Sequence, residues 1–110
     1  MSNLADKQCV PCQGGIPPMK EEEISKYLKK VKNWEVIENH QIKKKFKFKD
    51  FKSALKFVNE VGEIAEEEDH HPNICFTWGE VIIEIYTHKI DGLHENDFIL
   101  ASKIDGIKNG

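Results

Sequence analysis

Two periods of apolar residues alternate along this chain, and the changes between them mark out its elements. Ile24, Tyr27, Leu28 and Val31 recur at three- and four-residue spacing with charges between them. That spacing predicts a helix over Glu21–Lys32, ended by Asn33. Trp34–Ile37 reads as a strand and Glu38-Asn39-His40 as a turn. The period then falls to two. Over Ile42–Lys49, Ile42, Lys44, Phe46 and Phe48 share one face, while Lys43, Lys45, Lys47 and Lys49 share the other. This is the pattern of a half-buried antiparallel strand, with Lys44 the exception on its apolar face. Asp50 suits the N-cap of a second helix. Its stripe is Phe51, Ala54, Leu55, Val58, Val61 and Ala65, and it is expected to end near Glu67, ahead of the His71-Pro72 step. Asn73–Trp78 and Val81–His88 read as two strands joined by a Gly79-Glu80 turn. That turn would set Trp78 opposite Val81 and Phe76 opposite Ile83. Ile74, Phe76, Trp78, Val81, Ile83 and Ile85 would then share the apolar face, and Glu84, Tyr86 and His88 the other. Asp91-Gly92 is a further turn. A last helix, about His94–Ile104, carries Asp97, Leu100, Ala101 and Ile104 on one stripe.

The resulting order, α-β-β-α-β-β-α, predicts an α+β fold: a four-stranded antiparallel sheet with helices packed on one face. Residues 1–20 read as an arm, because Gly14, Gly15, Pro17 and Pro18 stop regular structure there. Its apolar Val10, Ile16 and Met19 are expected to pack on the domain formed by residues 21–110. Phe57, Gly62 and Ile64 fall partly outside the second helix's stripe. With the open sheet edges, they predict a subunit contact and a homodimer or homotetramer.

A chain of 110 residues is one domain with a modest core. No apolar run reaches the roughly 20 residues that span a bilayer. The start, Met1 to Lys7, lacks the apolar centre of a signal peptide, so a cytoplasmic protein is expected. The net charge of -3 argues against general nucleic-acid binding. That charge is unevenly placed: lysines crowd residues 43–52 and carboxylates crowd residues 60–69. An odd count of three cysteines, Cys9, Cys12 and Cys75, argues against a disulfide framework. Cys9-Val10-Pro11-Cys12 has metal-knuckle spacing but no second pair to complete four ligands.

The chemistry concentrates in Glu66-Glu67-Glu68-Asp69-His70-His71-Pro72. His88 closes the fourth strand, and a hairpin can bring it back beside the start of the third. Histidine's ordinary pKa lies near neutrality, so these side chains suit proton transfer on a small molecule. Asp97 interrupts an apolar helical stripe and needs a partner, for which a histidine from the sheet is suitable. A zinc site built from two histidines with Glu66 or Asp69 is the competing possibility. It is disfavoured because adjacent histidines diverge and the helical i, i+4 pairing is absent.

Asp69-His70-His71-Pro72, then His88, then Gly92-Leu93-His94-Glu95-Asn96-Asp97, resembles the signature of the pterin-4a-carbinolamine dehydratases. Phe46 to Phe51 is similar to that family's strand-to-helix junction, Trp34 to its early tryptophan, and Leu100-Ala101 to its final helix. The resemblance spans about residues 20–106 and leaves out the arm. It implies a lyase that dehydrates a 4a-hydroxytetrahydropterin to the quinonoid dihydropterin, recycling the cofactor of aromatic amino-acid hydroxylation. It implies His70 and His88 as the acid/base pair and His71 as a substrate-orienting residue. Glu66, Asp69 and Asp97 would position histidines or contact the ring, with Trp34 at the pocket edge. No metal or organic cofactor is implied, and the partners are the pterin and further copies of the chain. Family members also serve as protein-binding modules, as a dimerisation cofactor or assembly factor, which is the alternative function. The family usually has Ser or Thr where this chain has His94, a poorer helix cap.

Overall fold

The computed structural model describes residues 4–9 and 16–107. Cys12 and Val10 lie outside the described residues. Three helices, α1 (Glu21–Leu28), α2 (Phe51–Glu68) and α3 (Glu95–Asp105), accompany four strands, β1 (Glu35–Ile37), β2 (Gln41–Lys47), β3 (Asn73–Thr77) and β4 (Glu80–Ile85). The expected α+β order holds. All pairings are antiparallel, and the strand order is β1-β2-β4-β3, which leaves β1 and β3 as edges. Ile42, Phe46, Val81, Ile83 and Ile85 are buried on one face beneath the helices, while Lys45, Lys47, Cys75 and Thr77 are exposed on the other.

Lys44, the exception on the apolar face, has a local explanation. Its ammonium meets Asp105 at 2.8 Å and lies 4.7 Å from the centre of the Phe46 ring. Asp105 also accepts from Trp34 Nε1 at 3.0 Å and from the Lys32 main chain at 3.0 Å. One carboxylate at the end of α3 thus satisfies three donors, two from the loop before β1 and one from β2, and the lysine stem covers aromatic surface.

The β3–β4 hairpin differs from the sequence expectation. Phe76 pairs with Val81 and Ile74 with Ile83, so the two-residue loop is Trp78-Gly79 rather than Gly79-Glu80. Gly79 sets the turn: its φ is +75°, and a Cβ there would lie 3.1 Å from the Phe48 carbonyl. The shift is two residues, so every strand side chain keeps its face. Trp78 alone loses its place in the core and is 67% exposed at the loop tip.

Helix α2 starts as expected, with the Asp50 carboxylate accepting from the Ser53 N–H at 2.8 Å. That bond holds the Asp50 pKa below its ordinary 3.8. A depressed carboxyl pKa contributes stability above the unfolded value and loses it as pH falls through the folded one. Asp50→Ala is therefore expected to lower the thermal midpoint at pH 7, with the gap to wild type closing below about pH 4. Parallel melts at several pH values measure it. At its other end α2 runs one residue past the expected stop. Asp69 takes the left-handed conformation (φ 50°), its N–H bonds the Glu66 carbonyl, and the His70 N–H reaches the Ala65 carbonyl at 3.1 Å. This is a Schellman closure by a non-glycine residue.

The apolar stripe of α2 is rotated from its expected position. Ala54, Phe57, Val61 and Ala65 are buried, whereas Phe51 and Leu55 are 46% and 40% exposed. Helix α3 is buried almost all round, at Asn96 to Ala101 and Ile104. The short 3-10 turn Leu4–Asp6, α1 and α2 each pack against it. Leu4 enters the core and Met19 packs half-buried against it, as expected of that residue, while Ile16 stays exposed.

Candidate active site

Beyond β4, Thr87 bridges to Gly92, and His88–Ile90 forms a single 3-10 turn closed by Asp91 at φ 49°. His88 therefore sits on a turn rather than at the end of an extended strand. Gly92 is needed there, since a Cβ would stand 2.5 Å from the Pro18 ring. The turn and the Schellman end of α2 face the first turn of α3 across an open cleft of about 440 Å³. His70, His71, His88 and Asp69 line this cleft together, with Glu67, Glu68, Tyr86, Thr87, Lys89, Asn96 and Cys9.

Asp97 organises one wall. It is fully buried, and its two oxygens take three hydrogen bonds. Oδ1 meets His70 Nε2 at 2.6 Å, while Oδ2 accepts from Thr87 Oγ1 at 2.9 Å and from the His94 N–H at 2.8 Å. The partner expected for this carboxylate is a histidine, and it is His70. The carboxylate fixes the ring and, in the neutral imidazole, puts the proton on Nε2, leaving Nδ1 for other chemistry. His94 caps α3 after all: its Nδ1 accepts from the Asn96 N–H at 3.1 Å, and Asp97 returns the bond to complete a capping box.

His71 points elsewhere, with its Nε2 2.5 Å from Glu66 Oε2 at an exposed position. The two adjacent histidines are thus committed to different carboxylates on different elements. Among the described residues, no three histidine, cysteine or acidic side chains cluster as metal ligands. His88 is exposed, and its ring stands 4.3 Å from that of Tyr86, which stands 4.5 Å from His40. His40 in turn bonds Asp91 at 2.8 Å, which raises its pKa above the ordinary 6.5. A chain of rings and one ion pair therefore buttresses the His88 turn from β2's side.

Trp34 does not reach this cleft. It is a core residue bonded to Asp105, at the end of α3 opposite Asp97, so its expected place at the pocket edge is corrected. Thr87, Tyr86, Asn96 and Cys9 line the cleft without having been singled out as site residues. Thr87 and Tyr86 adjoin His88 in sequence, and a hydroxyl facing a buried carboxylate is the signal that pairs Thr87 with Asp97. A second hollow, of about 500 Å³ beside Phe48, Lys52 and Leu55, contains no histidine.

A family model described as pterin 4 alpha carbinolamine dehydratase matches residues 17–107. A relative from Rubrobacter xylanophilus, provisionally named as such a dehydratase, is 53% identical over 105 residues, covering 96% of this chain and 98% of its own. One from Rickettsia bellii with the same provisional name is 50% identical, covering 97% and 96%. Among solved structures, a transcriptional coactivator/pterin dehydratase from Brucella melitensis superposes with a TM-score of 0.75 at 31% identity, covering 79% of this chain and 94% of that one. A pterin dehydratase-like RuBisCO assembly factor of the alpha-carboxysome shares the fold, with a TM-score of 0.58 at 22% identity over 67% of this chain and 87% of that one. With matches of this extent, the chain belongs to the pterin-4-alpha-carbinolamine dehydratase family.

Proposed function

We propose that this chain dehydrates a 4a-hydroxytetrahydropterin to the quinonoid dihydropterin, with His70 and His88 as the acid/base pair. The observation that carries this is His70, held on the buried Asp97, sharing one cleft with His88 in a chain of this family. In the reaction the C4a–O bond breaks, and the departing oxygen takes a proton and leaves as water. The N5 lone pair forms the C4a=N5 double bond as the N5 proton passes to a base. Both proton transfers run near neutral pH, where imidazole is an efficient acid and an efficient base. His71, tethered by Glu66, orients the pterin, and Asp69 sets the path of the chain into His70. The product returns the pterin to the pool used in aromatic hydroxylation, in the cytoplasm.

The test is to supply synthetic 4a-hydroxytetrahydropterin and follow its loss against the uncatalysed background. Catalysis well above background is expected, unchanged by strong chelators, because His70 and His71 serve separate carboxylates instead of a shared ion. A rate equal to background, or one abolished by chelation and restored by zinc, would refute this reading.

The second reading is a protein-binding module. Exposed Phe51 and Leu55, one turn apart on α2, favour it, as does exposed Trp78, since large apolar side chains at a surface suit a protein contact. We assign that surface first to other copies of the chain, as a homodimer or homotetramer. A chain that binds a foreign protein but shows no dehydration would reverse the order of the two readings.

A further inference from the structure

We infer that the arm segment Leu4–Cys9 is a wall of the substrate cleft and that Lys7 and Glu68 are positioning residues for it. This rests on the dehydratase reading above and concerns an arm segment that precedes the 17–107 span of the family match, together with Glu68, its contact inside that span. Three anchors hold the segment. Leu4 is buried in the core, Lys7 meets Glu95 at 2.6 Å, and the Cys9 N–H donates to Glu68 Oε1 at 2.8 Å. The Cys9 thiol lies 3.6 Å from the Asn96 carbonyl and lines the cleft shared by His70 and His88.

The anchor points matter more than their number. Glu95 and Asn96 form the first turn of α3 and immediately precede Asp97, the carboxylate that holds His70. Glu68 is the last residue of α2, directly ahead of Asp69 and His70. The segment therefore ties together the two chain ends between which the histidine sits. Its Cys9 forms part of the cleft lining. Burial and the neighbouring Glu68 push the Cys9 thiol up to about 12, so at neutral pH it presents a neutral, weakly polar surface. A thiolate there would add a charge to a cleft already bordered by Glu67, Glu68 and Asp69.

Cys75, free and exposed on the outer face of β3, supplies an internal reference for a labelling test. The full-length protein is alkylated with and without a 7,8-dihydropterin, and modification at Cys9 and Cys75 is followed separately by mass spectrometry. Bound pterin is expected to slow Cys9 and leave Cys75 unaffected. Lys7→Glu, which sets two carboxylates face to face at the surface, is expected to speed Cys9 labelling roughly 3-fold or more. It should raise KM by roughly 2- to 10-fold, the scale of one lost contact, and lower kcat by much less. Leu4→Ala provides a second variant, expected to act in the same direction. Faster Cys9 labelling with KM unchanged in both variants would overturn the proposal, as would pterin that binds without protecting Cys9. Wild-type protein that neither binds nor dehydrates the pterin would overturn the dehydratase reading itself, and this proposal with it.

Discussion

Replacing His70 and His88 together with alanine is expected to cut pterin dehydration by roughly 10²-fold or more, the usual scale for general acid–base groups. His71→Ala should instead act mainly on KM, because its ring is tied to exposed Glu66 and not to the buried carboxylate. The sharper test is Asp97→Asn. The wild-type carboxylate accepts from His70 Nε2 on one oxygen and from Thr87 and the His94 N–H on the other. An asparagine keeps the shape, but its single oxygen must serve the Thr87 and His94 donors. Its NH₂ then faces His70 and donates to Nε2, which moves the imidazole proton to Nδ1. The nitrogen that was open for base chemistry becomes a donor, so the loss should approach that of His70→Ala in a protein that still folds. Asp97→Ala is a different experiment, because it also strands the buried Thr87 hydroxyl and the His94 N–H at a cost of about 1–3 kcal/mol each. Initial rates at neutral pH, corrected for background and compared with urea unfolding of each variant, separate the two effects. Full activity in Asp97→Asn would mean that the carboxylate does not control the His70 tautomer, and an intact rate in the double histidine variant would refute the acid/base assignment.

Much of this site was legible because its parts are short-range in sequence. Asp69-His70-His71-Pro72 is one segment, and a carboxylate on an apolar stripe announces a buried partner before any fold is known. The α-β-β-α-β-β-α order followed from period together with local caps and turns such as Asp50 and Asp91-Gly92. What was not legible depended on neighbours distant in the chain. Trp34 has no local feature separating a cleft residue from a core one; the Asp105 carboxylate, seventy-one positions away, decides it. Cys9 reached the cleft through contacts with Glu68 and Asn96 that no local pattern encodes. The hairpin loop was misplaced because Trp78-Gly79 and Gly79-Glu80 both look like turns. The left-handed φ of Gly79 and the close Phe48 carbonyl select the former.

The rotated stripe of α2 yields the second large effect. From spacing alone Phe57 looked like a flank residue available to a partner subunit, with Phe51 and Leu55 in the core. The structure reverses these roles. Phe57 is 3% exposed, with its ring centre 4.6 Å from that of Phe46 and 5.1 Å from that of Phe48. The end of β2 and the residue just past it present those two aromatic rings toward the helix, and a third ring beside them buries more surface than Leu55 would. Phe57→Ala is therefore expected to cost about 3–5 kcal/mol, the range for deleting a buried aromatic ring. That is a large share of the roughly 5–15 kcal/mol that holds a typical domain together. Phe57→Glu should fail to fold rather than dissociate an assembly. Leu55→Lys, at a half-exposed site, should leave unfolding nearly unchanged while weakening self-association, because it charges the apolar surface assigned above to a second copy. Urea midpoints read the first effect and sedimentation at micromolar concentration the second. A Phe57→Ala protein that keeps its urea midpoint but sediments as a smaller species would return Phe57 to the interface and displace it from the core.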